Sequence, residues 1–210
     1  MTLIPDTILQ LPFGCITDQT IAPTAAIDAT KMAQRALQKF NIPWSYFRVW
    51  DAYHLLPVST AAADDLALIT GTWLTNAASL NAGSVQNTNS IRRIGFMVPI
   101  PDNYQDGETV TLRIRAGMVT TIASASCTVD VEAIVRTGTG SAASADLVTT
   151  AAQGMNSLTA GDYDFQLNPA LIDPGMLLEV RLSISYNDVA TGTNVIPTIY
   201  AVDMLVDTRG

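Results

Sequence analysis

Leu177-Leu-Glu-Val-Arg-Leu-Ser-Ile-Ser-Tyr186 decides the fold class. From Leu178 onward it alternates without a break. Leu178, Val180, Leu182, Ile184 and Tyr186 share one face, and Glu179, Arg181, Ser183 and Ser185 share the other. A helix repeats its apolar residues every three or four positions, whereas a half-buried strand repeats them every two. The same period recurs around this stretch. Ile94, Phe96 and Val98 alternate within Ile91–Pro99, and Val110, Leu112 and Ile114 alternate against Thr111, Arg113 and Arg115. Val129, Val131, Ala133 and Val135 alternate within Thr128–Val135, and Tyr200, Val202, Met204 and Val206 within Pro197–Val206. Turn residues separate the runs at Pro101–Gly107, Gly138–Gly140, Gly161-Asp162, Asp173-Pro-Gly175 and Asn187–Gly192. Eight or nine strands with no helix after residue 40 predict an all-β chain, a jelly-roll-like antiparallel β-sandwich. The expected core is Phe96, Val98, Val110, Leu112, Ile114, Val129, Val131, Val180, Leu182, Ile184, Val202 and Met204.

The first 90 residues read differently. Met1–Pro23 is broken by Pro5, Pro12, Gly14 and Pro23. Thr24–Lys39 is rich in Ala, with Lys31, Arg35 and Lys39 in its later turns, and reads as a short helix. Residues 1–43 are therefore expected to be an N-terminal arm, and 44–207 the sandwich. Trp44–Trp50 reads as the first strand, Asp64–Leu74 as a strand bent at Gly71, and Thr75–Asn89 as a loop. The arm cannot bury a full apolar face by itself. Ile4, Ile8, Leu11, Phe13, Ile27, Lys31 and Arg35 are the residues expected to meet a partner.

Composition narrows the chemistry. Eleven basic against nineteen acidic residues give a net charge of -8, the wrong sign for a nucleic-acid footprint. The longest uncharged stretch, Leu66–Ile91, is too rich in Thr, Asn, Ser and Gly to span a membrane, so neither partner is expected. His54 is the single imidazole, and Cys15 and Cys127 are far apart, which leaves no triad and no zinc set. The two cysteines read as reduced, buried small hydrophobes. Asp102–Glu108 offers oxygen ligands for calcium but reads first as an Asp/Asn/Gly turn. Asp162 with Asp164, and Asp130 with Glu132, are same-face carboxylates on single strands, a weak basis for a glycosidase pair. Phosphate-cradling glycine motifs are missing. No catalytic residue, cofactor or metal is expected, and the chain reads as a non-enzyme. Trp44, Tyr46, Phe47, Trp50 and Tyr53 cluster within ten residues. They either seal the base of the sandwich or bind glycan.

A set of segments carries a resemblance. These are Phe47-Arg-Val-Trp-Asp51, Leu56-Pro57, Ala63-Asp-Asp-Leu66, Pro99-Ile-Pro-Asp-Asn-Tyr-Gln-Asp-Gly107, Leu112-Arg-Ile-Arg-Ala-Gly-Met118 and Val129-Asp-Val131. Together they resemble small virion structural proteins of tailed bacteriophages, and Ala25–Lys31 is similar to motifs of phage appendage and fibre proteins. The resemblance covers about half the chain. It implies a homotrimeric capsid decoration or cement protein, made in the host bacterial cytoplasm and bound on the capsid surface of the virion. Its partner would be the phage major capsid protein or another virion protein. The alternatives are a tail-appendage or fibre component, or a carbohydrate-binding β-sandwich module. A module should expose a row of aromatics drawn from Trp44, Trp50, Trp73 and Tyr163, whereas a cement protein should bury them.

Overall fold

The computed structural model describes residues 35–58, 64–72, 74–83, 88–120, 126–136, 145–188 and 195–209. The alternating stretch that fixes the fold class is strand β9, Leu177–Asn187. It lies between β4 (Asn89–Pro99) and β6 (Ser126–Arg136), antiparallel to both, and β7 (Gln153–Gly154) extends β6. The second sheet is built on β10 (Pro197–Arg209) and β5 (Val110–Met118), with β8 (Gly161–Leu167) beyond β5. Along its other edge β10 pairs first with β3 (Ser79–Asn81), itself paired to β2 (Ala67–Ile69), and then with β1 (Arg35–Asn41). A four-stranded and a six-stranded sheet thus face each other, and the chain is an antiparallel, jelly-roll-like β-sandwich.

All twelve expected core residues are buried, between 0% and 5% exposed. The alternation holds because a strand offers one face to the facing sheet and the other to water. In register, Leu182 lies between Ile94 and Val131, and Val180 between Phe96 and Ala133. All six close the inside of the four-stranded sheet. Phe47 caps this core, its ring 4.7 Å from Phe96 and 5.3 Å from Trp44. Each such tilted pair adds about 0.5–1.5 kcal/mol beyond the area it buries.

Four local expectations need correction. Arg35–Lys39 are not the last turns of a helix but belong to β1; the rest of that helix, Thr24–Gln34, lies outside the described residues. Tertiary pairing overrides helix propensity here. Asp203 is almost fully buried on β10 and needs partners for its charge. Lys39 Nζ at 2.8 Å and Asn41 Nδ2 at 3.1 Å, both on β1, supply them. Trp44–Trp50 is not a strand: Trp44–Tyr46 is a single 3-10 turn, and Arg48 then bridges to Gly95. Among the described residues of Asp64–Leu74 the strand is only Ala67–Ile69, while β3 occupies part of the expected loop. Tyr200 is 39% exposed rather than inward, because the β10–β5 register slips between Ile199 and Ala201. That bulge turns Ile199 inward in its place.

Candidate functional site

The outer face of the four-stranded sheet carries two ion pairs beside a hairpin of aromatic residues. Its register sets Gly95, Arg181 and Glu132 side by side on β4, β9 and β6. The neighbouring rows are Met97, Glu179 and Ile134, then Arg93, Ser183 and Asp130. Opposite charges on adjacent strands meet, as cross-strand neighbours do. Arg181 bonds Glu132 and Arg136 bonds Glu179. Asp146, beside β6, accepts the backbone N–H groups of Ala133 at 2.9 Å and Val148 at 3.1 Å. Burial pushes the Glu179 carboxyl above its ordinary value. Burial also raises Asp130, and the Val131 N–H that Asp130 accepts works the other way.

A short hairpin lays aromatic rings over this face. Arg48 and Gly95 exchange backbone bonds of 2.8 and 3.0 Å at the edge of β4. The chain then doubles back, with Arg48 bridged to Leu55 and Val49 N–H donating to His54 O. Tyr53 sits at φ 52, in the left-handed region, and its N–H donates to Val49 O. A non-glycine residue held there carries roughly 1–3 kcal/mol of strain, so its surroundings must over-determine it. They do so here: Arg136 Nη2 donates to the Tyr53 hydroxyl at 2.8 Å, and the guanidinium lies 5.7 Å from the ring centroid. Arg93 and Arg181 sit 5.0 and 5.4 Å from the Trp50 ring. The hairpin passes close over Gly95: a Cβ there would come into ordinary contact with the Trp50 backbone, at 3.5 Å. The buried Trp50 Nε1–H has no acceptor among the described residues.

Two adjoining recesses result. One, of about 380 Å³, is lined by Trp50, Tyr53, Gly95, Glu132, Glu179 and Arg181, with Ile134, Val180 and Asp146 completing it. The other, of about 340 Å³, is lined by Tyr46, Arg48, Tyr53, Phe96 and Met97. Tyr53, 41% exposed, divides them, and Tyr46, 49% exposed, closes the far side. This surface combines exposed rings, which stack on flat apolar faces, with carboxylates and guanidiniums already engaged with one another. It is suited to hydrogen-bonding a neutral, hydroxyl-rich ligand.

Other sequence-selected residues fall elsewhere. Ile4, Ile8, Leu11, Phe13, Ile27, Lys31, Cys15 and Trp73 lie outside the described residues. Arg35 opens β1 opposite Arg209. Asp164 and Asp162 lie on the outer face of the six-stranded sheet, where Arg113 grips Asp164 through two bonds of 2.7 Å and Arg115 meets Asp162 at 2.9 Å. The Arg113 hydrogen bond holds the Asp164 carboxyl below its ordinary value. Glu132 joins the site, but bound to Arg181 rather than paired with Asp130. His54 is exposed and serves through its backbone carbonyl. Asp102–Glu108 forms a turn with Gly107 at φ 81, and no group of three or more metal-capable side chains occurs among the described residues. Trp44 and Tyr163 pack partly against the core and Trp50 is half-buried, so these three form no flat exposed row. Among the described residues the exposed rings are Tyr46, Tyr53 and Tyr200; the first two belong to the aromatic cluster at 44–53 and lie outside strands, where alternation assigns no direction.

No family model matches the chain, and no curated protein matches it. Among solved structures it is similar to the CBM22-1 xylan-binding domain from Paenibacillus barcinonensis Xyn10C, at 15% identity over 80% of this chain and 97% of that one, with a TM-score of 0.37. It is similar also to the xylan-binding module CBM15, at 12% identity over 81% and 97%, with a TM-score of 0.39. A third is the C-terminal family 22 carbohydrate binding module of Clostridium thermocellum Xyn10B, at 15% identity over 70% and 83%, with a TM-score of 0.35.

Proposed function

We propose that this β-sandwich is a non-enzymatic binding module, and that the face under Trp50 and Tyr53 takes a neutral glycan. One observation carries the reading: exposed tyrosine rings border two adjoining recesses, one of which is lined by Glu132, Glu179 and Arg181, each held in an ion pair. A pyranose presents an apolar ring face to an aromatic side chain and hydroxyl edges to polar neighbours. Carboxylates already tied to guanidiniums accept hydrogen bonds from those hydroxyls without bringing uncompensated charge to the ligand. The same pairing speaks against hydrolysis. A glycosidase needs one carboxyl free to give up a proton and a second free to attack or to activate water. Glu132 and Glu179 are each held by an arginine, as are Asp162 and Asp164.

Affinity electrophoresis against xylan, β-glucan, mannan and starch gels tests this. At least one gel is expected to retard the wild-type chain, and Tyr53→Ala to weaken retardation about tenfold, the loss expected for one stacked ring. No retardation in any gel, or equal retardation of the variant, would overturn the assignment. Release of reducing ends from the bound polymer would overturn its non-enzymatic part.

A second reading concerns where the module works. The resemblance to phage virion proteins supports a place on the capsid surface, as a homotrimeric decoration protein bound to the major capsid protein. One structural observation favours a protein contact. Leu74 is 93% exposed at φ 65, on a turn fixed by Thr75 N–H and Asn76 N–H donating to Thr72 O and by Thr72 N–H donating to Asn76 Oδ1. A non-glycine residue in the left-handed region carries roughly 1–3 kcal/mol of strain, which a protein contact at this turn would account for. Mass spectrometry of intact virions should find the chain in stoichiometric amount, and its absence there would remove this reading.

A further inference from the structure

We infer that the ligand is a linear oligosaccharide of at least three units, lying along β4 and running beyond the two recesses into a third; this rests on the glycan reading above. The third recess, of about 430 Å³, is lined by Phe40, Ile42, Pro43, Tyr46, Ile100 and Met204 among others, with Asn41 and Asp102 offering polar atoms. Tyr46 borders this recess and its neighbour, as Tyr53 borders that neighbour and the recess under Trp50. The three follow one another past the edge of β4: the first lies on the outer face at Gly95, the second at Phe96 and Met97, and the third opens between the sheets, where Val98 to Pro101 meet Phe40 of β1 and Met204 of β10. Strand rise makes the distance from Gly95 to Ile100 on the order of 17 Å, too long for one or two sugar rings.

Chemistry changes along this line. At the Trp50 end the walls are arginine and glutamate, whereas at the far end they are proline, isoleucine, phenylalanine and methionine. An extended chain would anchor its hydroxyls at the first end. It would lay successive ring faces against Tyr53, Tyr46 and the apolar wall. Exposed tyrosines at the two dividing positions fit a repeat of stacked units better than a single enclosed sugar.

Isothermal titration with cello-, xylo- and manno-oligosaccharides of two to six units tests the inference on the full chain. For the series that binds, affinity is expected to rise at least fivefold from the dimer to the tetramer and then level off. Phe40→Ala, at the far recess, is expected to shrink that rise to under twofold. Because the wild-type series needs no variant, the result does not depend on whether Phe40→Ala folds. If longer chains bind no tighter than the dimer, the extended site is wrong while the glycan reading stands. If no oligosaccharide of any length binds, the glycan reading fails and this inference falls with it.

Discussion

Leu182→Ala should be among the most damaging single truncations in the sandwich, and Ser183→Ala, one residue along, nearly silent. Leu182 is fully buried in β9 and pairs with Ile94 on one side and Val131 on the other. Removing three carbons forfeits about 0.8 kcal/mol each in transfer free energy, roughly 2.4 kcal/mol. The hole adds to that, since both neighbouring strands are held by backbone ladders and cannot close over it, which brings the loss to ~3–5 kcal/mol. For a domain of this size ~2–4 °C accompany each kcal/mol, so Tm should drop by about 6–20 °C. Ser183 points outward and is half-buried, and its loss should stay within ~0.5 kcal/mol. Urea titration and calorimetry of both variants measure the contrast. A Leu182→Ala loss below about 1 kcal/mol, or equal losses for the two variants, would refute the inward–outward assignment of β9.

Three further outcomes are expected. In a Cys15→Ser background, Cys127 should resist a thiol reagent at pH 8 while folded and react once unfolded, because burial pushes its thiol up to about 12; fast labelling of the native protein would contradict this. Lowering pH from 7 to 5 should hold or raise Tm. Burial sets Asp65, Asp130 and Glu179 above their ordinary 3.8, 3.8 and 4.5, so the stability they contribute is full below those values and lost as pH rises through their folded ones. Asp164 works in the opposite sense, its contribution being present above 3.8 and lost only as pH falls through its lower folded value, so a steady loss between pH 7 and 5 would contradict the assignment. Gly71→Ala should cost about 1–3 kcal/mol by urea titration, since its Cβ would lie 2.2 Å from Asn76 O and 2.7 Å from the Ala77 carbonyl carbon, backbone atoms that must move; a change within ~0.5 kcal/mol would contradict the turn geometry.

The inside of the sandwich was legible because burial writes a period of two into β4, β5, β6 and β9. The elements misread are those whose form depends on a distant partner. Nothing in Arg35–Asn41 announces a strand; it becomes one because β10 offers an open edge and Asp203 needs Lys39 and Asn41. Tyr200 follows the alternation on paper, yet the bulge beside it reverses its direction. The site was half visible. The aromatic cluster at 44–53 and the outward charges of β6 and β9 could be read separately, but their meeting could not. It depends on the Arg48–Gly95 bridge that folds the hairpin across the sheet. A glycine at 95, amid the apolar alternation of β4, was the one local sign of that close approach.

Amide chemical-shift mapping tests most directly the proposal that the face under Trp50 and Tyr53 binds glycan. The 15N-labelled chain would be titrated with hexasaccharides of the cello, xylo and manno series. With the one that binds, the largest shifts are expected at Tyr46–Tyr53, Gly95–Met97, Glu132–Ile134 and Glu179–Arg181, on the outer side of the four-stranded sheet. Shifts confined to the six-stranded sheet around Arg113 and Asp164, or no shifts with any hexasaccharide, would contradict it.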